Sequence, residues 1–181
     1  MDIAYNIVGS GPPIIFIHGI GSRRSTWNGV IEKLKDEYQC ISYDLRGHGE
    51  SIYEENNFTL DNLVEDLENL LLQININNIH IVGHSLGGMI GPSYAKKNQE
   101  KVLSLSLLST AAFRNINDRK KILDIIKKIE NEGLDTVLPS LINRWFTDKF
   151  IKNNKNLIDT RFHQVKDTSL KIFLNVFKIY A

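Results

Sequence analysis

Ten residues constrain this chain more than any others: Ile79-His80-Ile81-Val82-Gly83-His84-Ser85-Leu86-Gly87-Gly88. A short apolar run closes on Gly-His-Ser-Leu-Gly and passes straight into a helical pattern. The arrangement G-x-S-x-G sets a serine on a sharp turn between a strand and a helix. Glycine is needed two residues before and two after the serine, because the turn is strained and neighbouring backbone passes close to it; side chains at 83 and 87 would collide. The turn lifts the Ser85 hydroxyl clear of the sheet. It also aims the helix N-terminus and the Leu86 amide at whatever negative charge develops there. With only three fixed positions, the pattern needs support from its flanks. The alternative is a glycine-rich turn around a buried serine.

The flanks supply that context. Ile3 to Val8 reads as a strand, stopped by Gly9-Ser10-Gly11-Pro12-Pro13. Ile14-Ile15-Phe16-Ile17 is wholly apolar, as a strand buried on both faces would be, and it ends in His18-Gly19-Ile20-Gly21-Ser22. Ser25 or Thr26 is placed to cap a helix from about Trp27 to Tyr38. A strand from Gln39 to Tyr43 leads into Asp44-Leu45-Arg46-Gly47-His48-Gly49-Glu50-Ser51. Thr59 opens a helix with Leu60, Leu63, Val64, Leu67, Leu70 and Leu71 at helical spacing, and Asp61 near its start suits the helix dipole. After the central stretch a helix runs from about Leu86 to Lys97, and a strand from Val102 to Leu108. Apolar strands alternating with helices predict an α/β fold, a mostly parallel sheet with helices on both faces. Such sheets gather their chemistry at the carboxyl ends of the strands, where His18-Gly19, Asp44, Ser85 and Ser109 all fall.

The pattern changes past residue 112. Residues 1 to 112 hold 8 Lys and Arg against 13 Asp and Glu, a balance of −5, whereas residues 113 to 181 hold 14 against 8, a balance of +6. Asn117 is placed to cap a helix whose apolar face is Ile122, Ile125, Ile126 and Ile129, and Gly133 stops it. Further helices are predicted at 135–143, 148–165 and 169–179, with no obvious strand among them. The expected organisation is therefore an α/β core over 1–112 and a helical insertion over 113–181.

Composition narrows the functional classes. No apolar run is long enough to span a bilayer, and Met1-Asp2-Ile3-Ala4-Tyr5 has neither a basic nor an apolar leader region, so a cytoplasmic protein away from membranes is expected. The single cysteine, Cys40, sits in a predicted strand and reads as a small core residue rather than a redox or metal group. There is no G-x-x-x-x-G-K-[ST], and the glycines at 83, 87 and 88 do not fit G-x-G-x-x-G, which argues against a nucleotide role. The histidines lie on separate elements without metal-ligand spacing, so neither a metal nor another cofactor is expected. The basic C-terminal region lacks a base-stacking pattern, and no nucleic-acid partner is expected. Oligomeric state is left open.

The stretches ending in His18-Gly19-Ile20-Gly21-Ser22, Asp44-Leu45-Arg46-Gly47-His48-Gly49-Glu50-Ser51 and Gly83-His84-Ser85-Leu86-Gly87-Gly88 resemble three successive signatures of the α/β-hydrolase superfamily. Within it the chain resembles the branch of 3-oxoadipate enol-lactonases and related small esterases. The likeness is close over roughly residues 3 to 112, and the helical remainder resembles the cap that this fold inserts after its sixth strand. The resemblance implies a serine hydrolase of a small ester or lactone that works through an acyl-enzyme. Ser85 matches the nucleophile, and the amides of Ile20 and Leu86 match the oxyanion hole. His18, Gly19, Gly83, His84 and Gly87 match site-shaping positions, and Arg46 and His48 match residues that brace the loop after their strand. The lysines of the cap suggest an anionic substrate drawn in by long-range attraction, with solvated helix faces as the plainer alternative.

The chain departs from the family in the partners that a serine needs. In this fold the order is Ser, then Asp or Glu, then His, and the resemblance puts the last two on strands beyond the cap. No strand followed by Gly-x-x-Asp, and no closing histidine, follows Ser85. His163 is the only later histidine and sits in a Lys-rich helical stretch; His80 begins the serine's own strand at its far end; Asp44 precedes the serine; Ser109-Thr110-Ala111-Ala112 offers no carboxylate. The expectation is the N-terminal part of a larger hydrolase, its fold incomplete at the C-terminus, with an exposed sheet edge and little activity alone. The alternative is a non-catalytic ligand-binding or scaffold protein of the same fold.

Overall fold

The structure, a computed structural model, describes residues 2–53, 57–110 and 112–181; Met1 and Ala111, named in the readings above, lie outside the described residues. The backbone divides into two compact units, Met1–Phe113 and Arg114–Ala181.

The first unit is built on a five-stranded sheet of β1 (Tyr5–Val8), β2 (Pro13–Ile17), β3 (Gln39–Tyr43), β4 (Ile79–His84) and β5 (Val102–Leu108), in the order β1-β3-β2-β4-β5. β1 pairs antiparallel with β3, and every other pair is parallel. The helices are α1 (Asn28–Leu34), α2 (Leu60–Gln73) and α3 (Gly87–Lys97). Alternation along the inner strands sorts the core into two layers. On one face Ile14, Phe16 and Cys40 pack with Trp27 and Ile31 of the α1 region. On the other, Ile15, Ile17, Ile41 and Ile81 are fully buried, and a Cβ on Gly91 of α3 would touch Ile81 and Leu105. α2 packs on α3 through a stripe of Leu63, Val64, Leu67, Leu70 and Leu71. A mostly parallel sheet with helices on both faces is thus what the sequence pattern predicts.

β5 is one edge of the sheet, and it differs from its neighbours. Leu103, Leu105, Leu107 and Leu108 are 52%, 37%, 47% and 45% exposed, while Ile81, which lies opposite Leu105, is fully buried.

The structure corrects several boundaries. The helix expected over 27–38 is a 3₁₀ turn at Arg24–Trp27 followed by the short α1. Neither Ser25 nor Thr26 caps it; the buried Trp27 anchors its start, and the amides of Glu37 and Tyr38 fold back onto the Leu34 carbonyl. Thr59 does cap α2, in a reciprocal pairing with Asn62.

The second unit is helical: α4 (Ile116–Glu132), α5 (Leu134–Trp145), α6 (Asp148–Asn153), α7 (Lys155–Asp167) and α8 (Leu170–Tyr180). The cap of α4 is Asn115 rather than Asn117, its side chain accepting the Asp118 amide at 3.0 Å. The stretch expected as one helix over 148–165 is broken at Asn154, which leaves helical geometry and donates from its side chain to the Phe150 carbonyl at 3.0 Å. Short polar side chains offer the backbone an alternative to continuing the helix. α8 packs on α4 through Ile172, Phe173, Val176, Phe177 and Tyr180. Among the described residues, no helix is long and apolar enough to cross a membrane.

Candidate active site

Ser85 occupies the turn between β4 and α3 with φ of +54°, in the left-handed region that a non-glycine residue rarely adopts. The flanking glycines are required by direct contact. A Cβ on Gly83 would run into the Gly87 carbonyl, and one on Gly87 into the Ile17 carbonyl of β2. The turn is also tied to the edge strand, because the Ser85 amide donates to the Leu108 carbonyl at 2.9 Å. Ser109, directly after β5, has φ of +50°, and a Cβ on Gly88 would meet Thr110. Two neighbouring strand ends are thus bent sharply side by side. Strain of this kind persists only where surrounding structure enforces it, and it clusters at functional sites.

The loop after β2 lies against this turn. A Cβ on Gly19 would sit 3.1 Å from both the Ser85 Cβ and the His84 Nδ1, a tight fit, so the glycine lets this backbone lie close against the serine. The next residue, Ile20, is buried, and the loop closes with the Ser22 amide donating to the Gly19 carbonyl at 3.2 Å. His18 is fully buried; its Nδ1 donates to the Gly19 carbonyl at 2.8 Å while its Nε2 accepts the Leu45 amide at 3.0 Å. Those two bonds require the neutral Nδ1–H tautomer. His18 therefore fastens the loop after β2 to the loop after β3. His84 is exposed beside Gly19, a position on the surface of the site that its place in the motif does not reveal.

The loop after β3 is a supporting frame. Asp44 is buried and accepts from the Arg24 amide at 2.6 Å, from the Arg24 guanidinium and from the Glu50 amide at 3.0 Å. Burial opposes the Arg24 charge, but the Glu50 and Asp44 carboxylates outweigh it and hold its pKa above the ordinary value. Arg46 makes two parallel bonds to Asp66 of α2 at 2.6 and 2.7 Å, and its guanidinium lies 4.7 Å from the centre of the Tyr53 ring. Burial again opposes the charge, and Asp66 again keeps the pKa raised. His48 stands 5.3 Å from His18 ring to ring and donates from Nδ1 to the Arg46 carbonyl at 3.1 Å.

Ser85, His84, Gly19, Ile20, Leu86, Gly83 and Gly87 thus form one neighbourhood, with His18, Arg46 and His48 behind it. His80 lies at the opposite end of β4, its Nδ1 2.8 Å from the Ser104 hydroxyl. His163 is exposed on α7, in the second unit. Asp44 is committed to Arg24 and Glu50. The sequence reading missed Arg24, Asp66 and Leu108. A signal existed for Asp66, a carboxylate on the apolar stripe of α2 between Leu63 and Leu70, which demands a buried cation. None existed for the other two: the Leu108 contact is an amide-to-carbonyl bond with no side-chain signature, and Arg24 meets Asp44 from a turn 20 positions away with no spacing pattern. Chemically, the arrangement offers a hydroxyl on a strained turn, the N-terminus of α3 beneath it, and glycine-lined backbone alongside, a geometry suited to a developing oxyanion.

The chain matches the family model described as the alpha/beta hydrolase fold over residues 12–154. It is 29% identical to 3-oxoadipate enol-lactonase 1 of Acinetobacter baylyi over 181 residues, which is all of this chain and 67% of that relative. It is 37% identical over 134 residues to the cis-3-alkyl-4-alkyloxetan-2-one decarboxylase of Shewanella oneidensis, covering 72% of this chain and 42% of that protein. Among solved structures, the enol-lactonase from Burkholderia xenovorans superposes with a TM-score of 0.89 at 22% identity, over 98% of this chain and 69% of its own. The chain therefore spans about two thirds of the length of the relatives it matches throughout.

Proposed function

The chain belongs to the alpha/beta hydrolase fold family, and on that premise we propose that it carries the nucleophile half of a serine hydrolase acting on a small ester or lactone. Ser85 attacks the substrate carbonyl, and the amides of Ile20 and Leu86 hold the resulting oxyanion. The C–O bond breaks, so that the alcohol of an ester departs or the ring of a lactone opens with its hydroxyl or enol still tethered; an acyl-enzyme remains on Ser85, and water releases the acid. A single observation carries this reading: the left-handed Ser85 between two glycines that backbone contacts forbid to change, with Gly19 pressed against its Cβ. Ser109 shares the left-handed backbone, but Ser85 alone of the two stands between the two constrained glycines and against Gly19. The relatives named as enol-lactonases support the ester or lactone class, and the +6 balance of residues 113–181 supports an anionic substrate.

Among the described residues, three candidates for activating Ser85 are engaged or placed elsewhere. His18 is spent on two structural bonds, His80 stands at the wrong end of its strand, and Asp44 is bound to Arg24. The 181-residue chain alone is thus read as a weak catalyst. Without a triad partner, an oxyanion hole and substrate binding still leave roughly 10³–10⁴-fold catalysis over water. The test is intact mass after prolonged exposure to a fluorophosphonate probe. Slow formation of one adduct, absent in Ser85→Ala, is the expected result. Labelling no faster than that of Ser85→Ala would transfer support to the second reading, a non-catalytic ligand-binding or scaffold protein, which the engagement of His18 and Asp44 elsewhere favours.

A further inference from the structure

We propose that Arg114 and Arg161 frame a binding site for an organic carboxylate within the second unit, walled by the rings of Trp145 and Tyr180. The Arg161 guanidinium, on α7, lies 4.9 Å from the centre of the Trp145 ring at the end of α5. That of Arg114, two residues before α4, lies 5.4 Å from the centre of the Tyr180 ring at the end of α8. Both are within the roughly 6 Å over which a ring face attracts a cation. Tyr180 also acts electrostatically on Arg161. Two cations from separate elements thus meet around one buried tyrosine, although like charges repel, and more strongly as water is excluded. Asp118, Glu132 and Asp135 pair with Lys121, Lys128 and Lys166. Those carboxylates serve lysines, while the two arginines lie on rings.

The chemistry of the ligand follows from this arrangement. A guanidinium laid on a ring gives the ring its face and points its N–H edge sideways, and that edge grips a carboxylate in two parallel bonds. The electrostatics agree. At Arg24 and Arg46 the carboxylates of Asp44, Glu50 and Asp66 outweigh burial and hold the pKa up. At Arg161 burial prevails and lowers the pKa to about 10, with Tyr180 opposing the shift. A carboxylate brought in by a ligand would tip that balance back, as Asp66 does at Arg46. The rings decide between carboxylate and phosphate. Trp145, Tyr180 and Phe177, whose ring lies 6.3 Å from that of Tyr180, offer apolar surface. Such walls suit an anion that carries a carbon chain and give nothing to a small hydrated dianion. The site stands on second-unit geometry; its use as an anchor for the acid group of an ester or lactone substrate rests on the hydrolase reading.

The experiment titrates hexanoate and hexanamide, equal in length and different in charge, into the full chain at neutral pH by calorimetry, with inorganic phosphate as a third ligand. The Ser85→Ala protein is used, so that no chemistry at the serine intrudes. Hexanoate is expected to bind about tenfold or more tightly than hexanamide. Arg114→Gln and Arg161→Gln should each weaken hexanoate about tenfold and leave hexanamide unchanged. Circular dichroism checks the fold of each variant, and the comparison of hexanoate with hexanamide needs neither of them. Equal affinity for those two ligands overturns the proposal. So does hexanoate binding that neither arginine substitution lowers, and so does phosphate binding as tightly as hexanoate, which would mark a general anion site. Hexanoate binding in a protein whose Ser85 takes no fluorophosphonate upholds the site and counts against the hydrolase reading alone. A failed titration beside normal Ser85 labelling does the reverse.

Discussion

Gly29 and Gly83 respond to alanine in opposite directions. Gly29 lies in α1 with nothing within 4 Å of an added Cβ. Alanine there removes backbone freedom from the unfolded chain and is expected to stabilise by about 0.5–1 kcal/mol. At Gly83 and Gly87 the added carbon meets backbone carbonyls, which cannot swing aside as a side chain does. Each alanine is expected to cost about 1–3 kcal/mol, read as a lower denaturant midpoint, and to slow Ser85 labelling as well. Behind the site, Arg46 and Asp66 are only 10% and 9% exposed. Removing one partner strands a buried charge, so Asp66→Ala is expected to lose about 3–5 kcal/mol, whereas an apolar pair at both positions should recover most of that. Equilibrium unfolding of the two single variants and the double variant decides it. Cys40 has no exposed surface, and burial raises its thiol pKa. With the folded pKa above the unfolded one, its contribution to stability is intact below the ordinary thiol value of about 8.5 and declines as pH rises past it. A thiol reagent at neutral pH should therefore react only as the protein unfolds.

At the scale of elements, α2 is legible because two independent signals agree, an apolar stripe and a capping threonine. Thr59→Ala removes the acceptor of the Asn62 amide, and the expected loss is about 1 kcal/mol in a thermal or urea melt. The strands are equally legible: Gln39–Tyr43 is a buried inner strand, and Val102–Leu108 carries the period-2 alternation of leucine and serine that marks a strand whatever its burial. Helix ends were less so. Asn115 and Asn117 are chemically equal as caps, and only the backbone at 115 decides between them. Asn154 ends a helix that periodicity carries straight through, because a local side-chain bond outcompetes the next turn. Within the site, the serine turn and its glycines could be read from spacing alone. The hold of Leu108 on the Ser85 amide and of Arg24 on Asp44 could not, since each joins residues separated by more than 15 positions through contacts that leave no pattern.

For the molecule as a whole, charge is the property that a sequence states most plainly and a fold distributes. Residues 1–113 carry 13 acidic and 8 basic side chains, and residues 114–181 carry 8 and 14, so opposite balances of −5 and +6 nearly cancel to +1. Beyond a screening length of about 10 Å at 0.1 M salt, a small anion meets a nearly neutral object. Any steering by charged side chains then acts within that length and weakens as salt shortens it. The expectation is that a carboxylate-bearing fluorophosphonate labels Ser85 faster than a neutral one of equal size at low salt, and that the ratio falls toward one as ionic strength rises to about 1 M, where the screening length is about 3 Å. Second-order labelling rates for the two probes across a salt series measure this directly. A ratio that does not change with salt would assign the lysines to solvated helix faces and leave substrate charge without a role in recognition.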